Sequence, residues 1–289
     1  MQRFSHGLSG QAAFTWEKEL TNGANSDTSY LTPAPPLIND VYNRAQNKQL
    51  SSFSRPLVLV LALNYTTPGL KSSGGAAFKA LSWATRDWTI GGLLRYQSGE
   101  LIRVPASNNG LFRQLARTDN PASWGGATTF WNRIPGKPLF LKNPNCHCID
   151  PTKDLVLNPA AWVDAPLGEF GTSAPYLNEF RWQRQPLESL GIGRNFALER
   201  ERRISFQIRA EFQNIFNRLF LASPVSVSSG SLGFNATAGA NPVAPVTSEN
   251  GRLKGGYGYV NWVNGGSTPT TPFQGARPRT GQIVARLVF

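Results

Sequence analysis

The sequence is short of the residues that carry most enzyme chemistry and most water-facing surface. Only 16% of its 289 residues are charged, against roughly 25% in an ordinary soluble domain. Two Cys exclude a scaffold held by several disulfides. Acid–base catalysis by histidine could draw only on His6 and His147, there is no G-x-S-x-G elbow, and Gly191-Ile192-Gly193 lacks the third glycine of a dinucleotide loop. The chain therefore does not read as an enzyme, and no catalytic residue, cofactor or metal is expected. No apolar run approaches the roughly 18 residues of a membrane-spanning helix; the longest is Leu57 to Leu63. Met1-Gln2-Arg3-Phe4-Ser5-His6-Gly7 opens with no apolar leader segment, and Met1 is the sole methionine.

What the sequence does hold is turn formers and aromatics. The 28 Gly and 21 Pro argue against a long helical bundle, while 8 Trp, 17 Phe and 7 Tyr argue against disorder. The formal charge of +12 is spread along the chain, and its densest group, Glu199-Arg200-Glu201-Arg202-Arg203, is interleaved with acids. No recognition motif accompanies that charge, so a nucleic-acid partner is not expected. The arginine excess points, more weakly, to lipopolysaccharide phosphates.

The informative signal has period two. Leu8, Gly10, Ala12, Phe14 and Trp16 alternate with Ser9, Gln11, Ala13, Thr15 and Glu17. Leu57, Leu59, Leu61, Leu63 and Tyr65 make a second apolar face, and Trp88, Ile90, Gly92, Leu94 and Tyr96 a third. A weaker segment runs from Ser189 to Leu198. Ile204, Phe206, Ile208, Ala210 and Phe212 then oppose Ser205, Gln207, Arg209, Glu211 and Gln213, and Gly281 to Phe289 repeats the pattern. Side chains on a strand alternate between faces, so the sequence predicts six two-sided strands of about ten residues each.

The same alternation suits a half-buried strand of a soluble β-sandwich. Three features favour a membrane barrel. Full charges (Arg95, Arg209, Glu211, Arg286) occupy mid-strand positions of the polar faces, as a wet lumen network permits. Aromatics (Trp16, Tyr65, Trp88, Tyr96, Phe212, Phe289) fall near strand ends, where girdles meet lipid headgroups. The gaps run about 35, 20, 90, five and 65 residues, the short-turn, long-loop rhythm of outer-membrane barrels. The predicted fold is all-β: an antiparallel transmembrane β-barrel segment of about six strands from a larger barrel, with long external loops.

Candidate sites follow from that fold. Arg209 and Glu211 share a face, which lets them pair with neighbouring strands across the lumen, and they read as a structural lumen network in preference to a ligand contact. The two large loops carry Phe112, Trp124, Phe130, Trp131, Trp162 and Trp182, and then Tyr257, Tyr259 and Trp262. Of these, Trp131, Trp162, Tyr257, Tyr259 and Trp262 are the ligand-binding candidates, because aromatic faces with polar neighbours suit sugars, peptides or aromatic chelates. The favoured reading nevertheless packs those loops on themselves over the barrel mouth. Cys146-His147-Cys148 admits an oxidised Cys146–Cys148 pair, free thiols or a metal. The disulfide is favoured, because three adjacent residues do not easily reach one tetrahedral ion.

Several stretches resemble the C-terminal part of TonB-dependent receptors of the Oar-like β-barrel group. They are Arg3-Phe4-Ser5-His6-Gly7-Leu8 with Phe14-Thr15-Trp16, Tyr96-Gln97-Ser98-Gly99, Asn158-Pro159-Ala160-Ala161-Trp162, Gly168-Glu169-Phe170-Gly171, Arg209 to Asn217, and Arg277-Pro278-Arg279. The group's usual glycine is missing at Arg184-Gln185-Pro186. The resemblance implies residues 1–289 form the C-terminal part of such a barrel, with no plug or signal peptide in this chain. It implies an outer-membrane receptor or transporter segment for TonB-dependent uptake, in a Gram-negative-type bacterium. Its expected partners are outer-membrane lipid and lipopolysaccharide, the barrel-assembly machinery, and the TonB energy-transducing complex through a separate N-terminal part. Terminal Phe289 resembles the signal that the assembly machinery reads. The alternatives are an adhesion or surface-scaffold barrel without import, and a secreted glycan-binding β-sandwich.

Overall fold

The computed structural model describes residues 2–3, 7–21, 40, 43–68, 75–105, 129–150, 153–166, 168–199, 204–218, 221, 223–224, 246–247, 253–255, 257–260 and 279–289. Its frame is six long strands: β1 (Leu8–Trp16), β2 (Leu57–Thr66), β3 (Trp88–Gln97), β4 (Leu187–Glu199), β5 (Ile204–Gln213) and β6 (Thr280–Val288). Each pairs antiparallel with its neighbour in sequence, giving an up-and-down sheet, and the two-residue strand Gln2–Arg3 adds to the free side of β1. The predicted strands are all present. The largest difference is at β4, which starts at Leu187, two residues before the predicted Ser189.

Register carries the alternation across the sheet. Ala12 pairs with Leu61 and Leu61 with Leu94, while Ile90 pairs with Ile192, Ile192 with Ala210 and Ala210 with Ile283. Directly paired residues share a face, so every apolar set lands on one side of the sheet and the polar sets on the other. A one-residue slip in any pair would reverse this, and none occurs within the long strands except beyond Ala197. Nothing covers most of the apolar skin: Phe14 is 66% exposed and Ile283 75%. No second sheet packs there among the described residues, which is the arrangement a sandwich would require.

The strand ends form two belts. Trp16, Tyr96 and Phe212 close strands at one end of the sheet, while Tyr65, Trp88 and Phe289 stand at the other. From Trp88 to Tyr96 is eight residues, about 26 Å along the strand at ~3.3 Å per residue, the scale of a tilted membrane crossing. The first belt adjoins the connections 17–56, 98–186 and 214–279. The second adjoins 67–87 and the four-residue connection 200–203.

The hydrophobic core lies outside the sheet, in the long connections. Ile102, Val104, Phe130, Val156, Leu157, Trp162, Phe180, Tyr257 and Val260 are all at most 4% exposed and belong to one cluster. Short ladders organise it: Leu20–Thr21 with Gln49–Leu50, Leu101–Arg103 with Tyr176–Arg181, and Asn132–Arg133 with Trp162–Val163. Three connections are joined here. Arg181 Nη1 donates to Ser54 O (2.9 Å), Trp182 Nε1 to Leu221 O (2.9 Å) and Val156 N to Gly258 O (2.8 Å). The protein is thus a bare two-faced wall with a cored cap at one end.

The short ladders of the cap were not read from the sequence, and neither was the α-helix. Helix α1 (Ala76–Thr85) sits in the β2–β3 connection, at the end away from the cap. The chain leaves it through Asp87 at φ +64°, a left-handed conformation that Asp tolerates better than most residues.

Candidate functional site

The polar face of the wall holds a trough of about 610 Å³. Asn64, Asn195, Gln207, Arg209, Glu211 and Gln213 supply its polar lining, and Gly91, Gly191 and Gly193 form a floor without side chains. Arg209 and Glu211 lie two apart on β5, so their side chains leave the same face. Their ends meet at 2.5 Å, and Glu211 also accepts from Gln282 Nε2 on β6 (2.6 Å). The two residues thus pair with each other along β5, and the tie to a neighbouring strand is that of Glu211 to Gln282 on β6. Arg286 faces the same side on β6 beside Gln207, and Arg95 does so on β3, opposite Val60 and Leu187. The structure brings neither to Arg209.

At the cap end Arg55 and Arg181 gather near Arg95 and Glu100. Burial lowers the Arg55 pKa, with Glu100 opposing and Arg95 adding to the fall; burial and then Arg55 do the same at Arg181. Both guanidinium groups stay charged at any working pH, because arginine starts so high. Backbone carbonyls hold them, Arg55 on Ser52 and Ser54 and Arg181 on Ser54 and Gly99. The rim between wall and cap is consequently basic. Composition alone did not locate this cluster, since its members are about 45 and 80 residues apart in the chain.

The aromatic candidates divide. Trp162 and Tyr257, at 4% and 2% exposure, are core residues of the cap, so they do not offer open faces to a ligand. Phe180 packs between Phe140 and Trp162, with ring centroids 5.5 and 5.6 Å away, and Arg133 lies 5.7 Å over the Trp162 ring. Burial pushes the Tyr257 hydroxyl well above the ordinary phenol range, against smaller opposing effects from Trp162 and Arg133. Trp131 and Tyr259 are half-buried, Trp131 against the core and Tyr259 bridged to Leu155. Phe112, Trp124 and Trp262 lie outside the described residues. Cys146 and Cys148 are joined in a disulfide, and Cys146 packs on the core cluster.

The stretches that carry the family resemblance turn out to shape the backbone. A Cβ on Gly99 would overlap Trp182 O, and one on Gly171 would overlap Phe130 O, so glycine is needed where two chain segments cross. Asn158 accepts from Ala160 N (3.0 Å) and donates to Pro138 O (2.7 Å), starting the short helix Pro159–Ala161 and fixing Trp162 in the core. Asn214 and Asn217 both have positive φ, at 51° and 49°. Asn214 Oδ1 accepts from Arg218 N (2.8 Å) and its Nδ2 donates to Arg218 O (3.0 Å), folding the chain back after β5.

Sequence reasoning missed two charges on β4. Glu188 and Arg194 are in phase with Leu190, Ile192 and Phe196, and so belong to the apolar face; that is why β4 alternates weakly. Each is held by local partners. Glu188, 1% exposed, receives Arg218 Nε on both carboxylate oxygens (3.0 and 3.1 Å). Arg194, 5% exposed, donates to Trp83 O (2.5 Å) and Ala84 O (3.0 Å) at the end of α1. It also lies among the rings of Phe196 (4.6 Å), Trp83 (4.9 Å) and Trp88 (5.9 Å). A cation at a helix C-terminus is stabilising by ~0.3–2 kcal/mol, and the surrounding rings add to it. Charges in step with a greasy repeat were the available signal.

A single antiparallel sheet with an uncovered apolar face, a polar opposite face and an aromatic belt at each end is the wall of a transmembrane β-barrel. Comparison with known families agrees. Residues 1–243 match the family described as Outer membrane beta barrel domain, and the chain belongs to that family. Its place is the outer membrane of a Gram-negative-type bacterium. No curated protein and no solved structure matches the chain.

Proposed function

We propose that this chain supplies wall and external mouth to a TonB-dependent, Oar-like receptor that imports a substrate across the outer membrane. The observation that carries the reading is the union of three long connections in one cored cap at a single end of the wall, next to the basic rim and the polar trough. A wall that only anchored the protein would have no use for a folded mouth above a polar channel face. The cap end is external and the short-turn end periplasmic, in keeping with the loop lengths of bacterial barrels. Arg209 and Glu211 line the passage as a structural pair, and the substrate meets the cap and rim first. The polypeptide acts as binding and transport protein without catalysis.

The sheet as described has two free edges, at Gln2–Arg3 and at β6. Edges do not persist in lipid, so the working barrel includes further strands. The test uses the full-length gene product, purified from outer membranes and mixed with the periplasmic domain of TonB from the same organism. Binding that disappears when the segment upstream of residue 1 is removed is expected. A full-length product that neither binds this domain nor encodes a plug upstream overturns import, and leaves an adhesion or scaffold barrel.

A further inference from the structure

Among the described residues, helix α1 has little to fold against. Seven of its ten residues are apolar (Ala76, Ala77, Phe78, Ala80, Leu81, Trp83, Ala84), Lys79 is its one charge, and Ser82 is the one buried residue. Phe78, Leu81 and Trp83 are 57, 51 and 55% exposed. A helix this short is marginal in water even with good helix formers, and a packed amphipathic face normally supplies what propensity does not. That packing is missing here, yet the C-terminal turn is tied down. Arg194 reaches Trp83 O and Ala84 O, Trp88 Nε1 donates to Ala84 O (2.7 Å), and Thr67 Oγ1 to Thr85 O (2.7 Å).

The tie fixes where the helix lies. Arg194, Trp88, Phe196 and Phe206 all face the apolar side of the wall, and Trp83 packs on Phe196 with ring centroids 6.1 Å apart. Beyond the Arg194–Trp88 pair, β4 and β5 continue together as far as Glu199 and Ile204 without β3 beside them. The end of α1 rests on this projecting hairpin, at the turn end of the sheet. Its exposed Phe78, Leu81 and Trp83 are therefore continuous with the skin that membrane lipid covers.

We infer that α1 is an in-plane membrane helix, with Phe78 and Leu81, one turn apart on the side opposite Trp83, inserted among the phospholipids of the periplasmic leaflet, and with Trp83 on Phe196 and Arg194 anchoring its C-terminus to the wall. The occupant is the acyl–headgroup boundary of the bilayer, where a helix of this length with one Lys and a Trp is at home. Arg194 completes the arrangement: a guanidinium on a lipid-facing strand is costly when bare, and α1 removes it from lipid. The inference rests on the outer-membrane wall and on the periplasmic placement of the turn end.

Spin labels on Leu81→Cys, Phe78→Cys, Leu61→Cys and Lys137→Cys test it. The full-length protein is reconstituted in phosphatidylethanolamine–phosphatidylglycerol vesicles, and each label is titrated with oxygen and with a water-soluble nickel chelate. The Cys146–Cys148 bond leaves the introduced thiol as the target. Labels at 81 and 78 should favour oxygen as the wall label at 61 does, while the cap label at 137 favours nickel. Nickel preference at both helix positions, with 61 still reading lipid, overturns the inference and spares the wall. Nickel preference at 61 as well overturns the wall and the inference together. In Arg194→Met, the label at 81 should become more mobile with 61 unchanged; an unaltered line shape at 81 removes Arg194 as the anchor.

Discussion

The wall and the cap bury opposite things by opposite means. In the wall the backbone does the organising: long ladders join each strand to its neighbour, and the side chains need only sort into two faces, with Phe14 and Ile283 left bare for lipid. In the cap the side chains do the organising. Its ladders are two to six residues long, and Phe130, Phe180, Trp162 and Tyr257 form a dry centre of the kind usual in soluble domains. The difference shows what lipid changes. Where solvent is itself apolar, no hydrophobic core is required, and hydrogen-bond closure replaces it. Where the chain emerges into water, a core returns at once.

Mutations can break the comparison. Phe180→Ala in the cap should cost about 3–5 kcal/mol, because a fully buried ring leaves a cavity. Gly171→Ala should disrupt the same region by forcing Phe130 O away. Both should open the cap to protease while the heat-resistant electrophoretic form of the wall survives; loss of both regions together would make them one cooperative unit. Next comes Leu61→Arg against Ala62→Arg. The first puts a charge on the lipid face and should cost about 2–4 kcal/mol, while the second is on the polar face, beside Gln11, and should cost far less. Equal losses in denaturant titrations in vesicles would contradict the assignment of faces.

The smallest effect concerns acid. Burial pushes the Asp154 carboxyl up, but Lys142 at 2.6 Å and the backbone N–H of Asp150 outweigh it, so the net shift is downward. A lowered carboxyl contributes stability above its unfolded value, near pH 4, and that contribution disappears as pH falls through the lower folded value. Amide exchange at Leu141, which donates to Val156 O (2.7 Å), should quicken only in strong acid, and Asp154→Asn should abolish that step. Exchange that speeds equally in Asp154→Asn would assign the acid response to another group.

Period two made the wall legible because lipid and lumen impose a single choice at every position: apolar or polar. Six strands and their faces followed, and so did the shared face of Arg209 and Glu211, since two residues apart on a strand means one face; that they pair with each other did not. The Cys146–Cys148 bond was the favoured reading of adjacent thiols, and the structure shows it. That the long loops pack on themselves was the favoured reading, but which side chains form the core of the cap was not legible. Val104, Phe130, Leu157 and Phe180 meet from positions spread over more than 70 residues, with no period to announce them. Trp162 and Tyr257 looked available for ligand because exposure is a property of packing, which composition does not carry.

The amino-acid order by itself thus determined a two-faced antiparallel wall, because each side chain's face follows from its parity along a strand. Tertiary structure alone decided which aromatics were sealed in the cap, which glycines mark a crossing of chains, and why β4 tolerates Glu188 and Arg194 on its greasy side. Those outcomes depend on partners far away in the chain, Arg218 for one charge and α1 for the other. Local pattern holds no record of such partners until the fold brings them together.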